Sequence, residues 1–86
     1  MDKLDQKTRE LMTCTSEECG ELVQACMKVV RYGLEKPKVD ALLEEVGDVQ
    51  CLIDLMVEHG LLNLKDIERR IITKRDKLKK WSSLCD

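Results

Sequence analysis

The sequence predicts an all-α protein, and three observations carry that prediction. Apolar residues recur at spacings of three and four along almost the whole chain, no stretch alternates convincingly as a strand would, and cap and stop residues divide the periodic segments. The expected architecture is four helices in one domain spanning residues 1–86.

The first helix is expected to be short, from Lys3 to Met12, with Leu4 and Leu11 facing inward. Thr15 then offers a side-chain oxygen as N-cap, and Glu18 follows three residues later, the spacing of a capping box. The second helix runs from there to Tyr32 and stops at Gly33, since glycine tolerates the positive φ of a helix C′ position. LEKPK, with the only proline, Pro37, reads as the connection. A third helix begins near Lys38 or Val39 and ends at Gly60. Asn63 is the expected N-cap of a fourth, from Leu64 to about Trp81, with Asp66 in the first turn where an acid suits the helix dipole.

At 86 residues the chain buries proportionally little surface. With no Phe, one Trp and one Tyr, its core must come from Leu, Val, Ile, Met and Cys. A metal, disulfides or a partner subunit commonly stabilises so small a domain. Five cysteines, an odd number without a C-x-x-C pair or a secretory signal, argue for free thiols in a reducing compartment and so for a cytoplasmic protein. The formal net charge of −2 argues against a nucleic-acid polymer as partner. No apolar run approaches the ~20 residues needed to span a bilayer, so no membrane role is expected.

The acids are the informative feature. Projected at 100° per residue, Glu18 falls on the inward face beside Leu22, Ala25 and Val29, with Cys19, Val23, Cys26 and Val30 completing the apolar arc. Glu21 lies at its edge, and Glu17 falls further out. On the third helix, Glu45 and Asp48 project toward Ala41, Val49, Leu52, Leu55 and Met56. Carboxylates aimed into apolar surroundings need compensation, and these inward faces carry no Arg or Lys beside them. A hard cation with oxygen ligands answers that need, and Mg²⁺ is the commonest such ion used with phosphates. A ferritin-like di-iron site would require Glu-x-x-His motifs, yet the only histidine, His59, lies ~16 Å along the helix from Asp48.

SEECGELVQA followed by LLEEVGDVQCLID resembles the MazG-like all-α nucleoside triphosphate pyrophosphohydrolases, whose signature is E-E-x-x-E, a gap, then E-x-x-D. Glu17, Glu18 and Glu21 match the first half, and Glu45 and Asp48 the second. The resemblance extends over about Leu11 to Leu62. It implies a four-helix bundle completed by dimerisation, as a homodimer or a homotetramer built as a dimer of dimers. It further implies Mg²⁺-dependent hydrolysis between the α and β phosphates, with Mn²⁺ as an alternative ion. Glu18, Glu21, Glu45 and Asp48 would be the metal ligands, and the outward projection of Glu17 suits it to support those ligands from behind or to orient a water.

Phosphates left outside such a cluster need cations. Lys28 and Arg31 follow the acids on the second helix, and Lys74, Arg75 and Lys77 resemble the family's C-terminal basic segment. Trp81 and Tyr32 alone offer a π face to a base, although the expected roles are structural, with Trp81 closing the core and Tyr32 capping its helix. Two alternatives stand beside this reading. Phosphoribosyl-ATP pyrophosphohydrolase shares the fold but usually reads E-A-A-D-L-x-Y-H in its second motif. A non-catalytic helical oligomerisation or regulatory module would use the acids for a structural cation or a basic partner.

Overall fold

The computed structural model describes residues 4–86, so the expectation for Lys3 lies outside the described residues. It is all-α, with three helices: α1 (Gln6–Tyr32), α2 (Lys36–Glu58) and α3 (Leu64–Trp81).

The expected break between a first and second helix does not occur, because α1 runs through it. Thr15 is not an N-cap; its hydroxyl donates to the Leu11 carbonyl one turn back (2.7 Å). Thr13 and Ser16 donate likewise to Arg9 and Met12. Hydroxyls that bond back to the i−4 carbonyl satisfy themselves inside a continuous helix. The cap lies at Asp5, whose carboxylate accepts from the Thr8 N–H (2.7 Å) and is held below the ordinary carboxylate range by that bond. Glu18 is therefore no capping-box residue, and its carboxylate is left for other use.

The other boundaries follow the sequence more closely. Gly33 ends α1 at φ 83°, its N–H bonded to the Val29 carbonyl. Pro37 sits inside the first turn of α2 rather than in the connection, a position where its missing N–H costs nothing. Helix α2 ends at Glu58, with Gly60 at φ 74° turning the chain away. Asn63 caps α3 by accepting from the Lys65 N–H (2.8 Å), and Asp66 lies in the first turn as expected.

Helices α1 and α2 form an antiparallel hairpin, the principal packing in the chain. Its seam follows a spacing of alternating four and three residues. The more buried positions run Leu11, Thr15, Glu18, Leu22, Ala25 and Val29 on α1, and Lys38, Leu42, Glu45, Val49, Leu52 and Met56 on α2. That is the narrow stripe of a coiled-coil-like contact. Among the described residues only Leu11 and Ala25 are buried, and Val23, Val30, Leu43, Ile71 and Ile72 are exposed. The inward placement expected of Cys19, Val23, Cys26 and Val30 fails because one facing helix covers one stripe, and that of Leu4 fails because it precedes the α1 cap at Asp5.

Helix α3 packs only weakly on the hairpin. Trp81 is 83% exposed, so it does not close the core of its own chain. The radius of gyration, 15.7 Å, exceeds the about 12 Å of a compact chain of this length. A cavity of about 920 Å³ at the α2–α3 corner, lined by Val57, Leu61, Leu62 and Ile67, marks the gap.

Candidate metal and nucleotide site

Three carboxylates meet halfway along the hairpin seam. One oxygen from each of Glu18, Glu21 and Glu45 lies within 4.8 Å of the other two. Glu18 and Glu45 occupy seam positions on α1 and α2, where side chains must point at the opposite helix, and Glu21 stands one turn from Glu18 at the exposed edge.

Among the described residues no donor compensates them. Glu18 Oε2 and Glu45 Oε2 are shielded from solvent without a hydrogen-bond partner, and no ion pair reaches any of the three carboxylates. Loss of hydrating water, followed by the Glu21 and Asp48 charges, raises the Glu18 carboxyl above its ordinary range. The same loss of water, with Glu21, Glu18 and Asp48 nearby, pushes Glu45 up to about 7. These are the perturbations expected of carboxylates gathered for a ligand. Three oxygen donors with two orphaned oxygens fit a hard divalent cation, and they offer no soft donor among the three.

Asp48 was expected to point into the core beside Glu45. It is instead exposed, and it lines a cleft of about 320 Å³ with Cys14, Glu18, Cys51 and Leu52. Its charge is felt by both Glu18 and Glu45. Glu17 is exposed on the outer side of α1, in keeping with its outward projection.

On the other side of the three acids, Glu21, Gln24, Ala25, Lys28, Ala41 and Glu45 line a cleft of about 350 Å³. Lys28 thus stands in the same cleft as two of the acids without pairing with either. Arg31 lies one turn further on, its guanidinium 5.9 Å from the centre of the Tyr32 ring. Tyr32 is the last residue of α1 and half exposed; the cap itself is Gly33. Lys74, Arg75 and Lys77 are exposed on α3, and within one chain no hydrogen bond or ion pair brings them or Trp81 to the acids.

Sequence reasoning missed Lys38. It is half-buried on α2 in the same stripe as Leu42 and Glu45, and its ammonium lies 5.2 Å from the centre of the Tyr32 ring. The signal is its three-four spacing from those residues, which is easily passed over at the expected first residue of a helix.

Fold and site together define an all-helical protein built around a carboxylate cluster on two antiparallel helices. Residues 6–82 match the MazG nucleotide pyrophosphohydrolase domain, and the chain belongs to that family. No curated protein and no solved structure matches it. The family points to nucleotide pyrophosphohydrolase chemistry. No helix among the described residues is long and apolar enough to cross a membrane.

Proposed function

We propose that this chain is a Mg²⁺-dependent pyrophosphohydrolase that cleaves nucleoside or deoxynucleoside triphosphates between the α and β phosphates, releasing a monophosphate and pyrophosphate. The observation that carries the reading is the pair of orphaned oxygens, Glu18 Oε2 and Glu45 Oε2, in the carboxylate cluster of a chain from a pyrophosphohydrolase family.

Glu18, Glu21 and Glu45 would hold Mg²⁺, or Mn²⁺ in its place, and Asp48 would join them from its exposed position one turn along α2. When bound, the cation neutralises charge on the phosphate oxygens and acidifies water. The protein's own residues supply the rest. Glu17, outside the cluster, accepts a hydrogen bond from the attacking water and orients it. Lys28 and Arg31 attract the phosphates beyond the scissile bond, and the Glu18 and Glu45 carboxyls shed their protons as the cation arrives.

The apolar surfaces of α1, α2 and α3 left open in one chain support a homodimer or homotetramer. In such an assembly Lys74, Arg75, Lys77 and Trp81 would approach the acids of a second copy.

The test is incubation with each common NTP and dNTP, and with phosphoribosyl-ATP, in Mg²⁺ and in EDTA, with the products resolved. Monophosphate and pyrophosphate should form only with Mg²⁺ and should vanish with Glu45→Gln. Orthophosphate and diphosphate would show that the scissile bond is misassigned. No turnover of any nucleotide would leave a non-catalytic helical module.

A further inference from the structure

We infer that Lys28 and Lys38 form a two-lysine phosphate clamp at the closed end of the α1–α2 hairpin, with Lys38 a substrate-binding residue for the phosphates that the carboxylates do not engage. The inference rests on the reading above for the identity of the phosphate compound, though not for the anion site itself.

Register is the first support. Lys7 shares a cleft with His59, Leu11 with Leu55, and Cys14 with Leu52. Further along, Glu18 shares one with Asp48, and Glu21 and Ala25 share one with Ala41 and Glu45. Continuing this antiparallel order by one turn sets Lys28 on α1 opposite Lys38 on α2. Like charges at opposed register positions disfavour the pairing of two helices, and neither lysine has a carboxylate partner among the described residues. Lys36, by contrast, is paired with Asp40 at 3.0 Å.

Helix α2 supplies the second support. Its first turn, Lys36-Pro37-Lys38, contains no acid, and its N-cap residue Glu35 makes no side-chain cap bond. Cations gathered at the positive end of a helix dipole oppose the usual preference; Asp40 offsets Lys36, whereas Lys38 has no such partner among the described residues, and an anion there would supply one. The local rule is broken where a ligand would restore it.

Geometry is the third. Lys38 and Glu45 are the only charged members of the α2 seam stripe, with opposite sign, and they stand two turns apart, ~10 Å along the helix. Lys28 stands the same two turns from Glu21 on α1. The cleft of about 350 Å³ has Glu21, Glu45 and Lys28 in its wall, and the register sets Lys38 one turn beyond Ala41, past the cationic side of that cleft. An extended chain of phosphates matches that polarity: a cation-bridged group at the acids, and free phosphate oxygens at the ammoniums. The Tyr32 ring, 5.2 Å from the Lys38 ammonium, holds that side chain at the closed end of the hairpin.

The experiment is calorimetric titration with inorganic triphosphate in EDTA, paired with Mg²⁺-dependent nucleotide kinetics. Wild type should bind triphosphate without metal. Lys38→Gln should weaken that binding about tenfold, as expected for a lost charged hydrogen bond, and Lys38→Arg should retain most of it. In hydrolysis, KM should rise about tenfold for Lys38→Gln while kcat falls less. Unchanged triphosphate binding in Lys38→Gln overturns the clamp, as does a lowered melting temperature with wild-type binding, which would assign Lys38 to packing on Tyr32. Should Lys38→Gln fail to fold, the exposed Lys28→Gln reads the same clamp, and wild-type binding there overturns it. Triphosphate binding that depends on Lys38 in a protein that hydrolyses no nucleotide would keep the clamp and sink the hydrolase reading. Hydrolysis with a wild-type KM in Lys38→Gln would do the reverse.

Discussion

At the scale of single residues, Glu45 governs how the metal-free protein responds to pH. Its carboxyl is pushed up to about 7 from an ordinary 4.5, and Glu18 is raised in the same direction. A raised acid keeps its proton in the folded chain after the unfolded chain has lost it, so stability falls as pH rises through that interval. Metal-free protein should therefore melt at a higher temperature near pH 5 than near pH 8, with the fall centred between 4.5 and about 7. Thermal melts in EDTA across that range check this, and a flat profile would contradict it. Mg²⁺ should remove most of the decline, because it stabilises the ionised carboxylates. Glu45→Gln should raise the melting temperature of metal-free protein while lowering Mg²⁺-dependent turnover by at least ~100-fold. A variant that loses activity and stability together would indicate a structural acid instead.

At the scale of elements, the hydroxyl-rich segment from Thr13 to Ser16 decides the architecture. Thr15 was legible as a cap because Thr with Glu three residues later is the expected pattern. The same hydroxyl can bond backward, and the choice depends on whether the preceding residues are already helical. Met12 and Leu11 are, so the helix continues. Thr15→Ala should accordingly change stability by less than about 0.5 kcal/mol, whereas Asn63→Ala, at a true cap, should cost about 1 kcal/mol. Denaturant melts of the two variants distinguish back-bonding from capping. The acidic cluster was legible for a different reason, since Glu18 and Glu45 recur at seam spacing whatever the helix start. Asp48 was misread because a helical projection gives direction without the width of the covering neighbour, and one facing helix covers only a narrow stripe. Lys38 stayed hidden because it falls at the expected start of its helix, where the direction of a side chain is least defined by periodicity.

At the scale of the whole molecule, large apolar side chains stand exposed on the outer side of α1, on α2 and along α3, among them Val23, Val30, Leu43, Ile71 and Ile72. Association between copies would cover them, and the melting temperature should then rise with protein concentration. Trp81, the only tryptophan, reports on this directly. Its emission should be blue-shifted at high concentration and move to the red on dilution, in step with the mass seen by light scattering. Ile72→Glu, on the exposed face of α3, should shift that transition to higher concentration. An unchanged mass and emission over the whole range would mean that α3 stands alone.

The carboxylates in the middle of the hairpin also set where the fold opens first. Helices ordinarily fray from their ends, so amide protons exchange fastest there. In this hairpin the mutual repulsion lies at the centre, while Leu11, Leu55 and Leu52 close one end and Gly33 ties the other. Without metal, the amides around Glu18 and Glu45 should trade their hydrogens for deuterium sooner than their central position would suggest. Adding Mg²⁺ should slow that exchange most strongly at the same place, making the middle of the hairpin its most protected part.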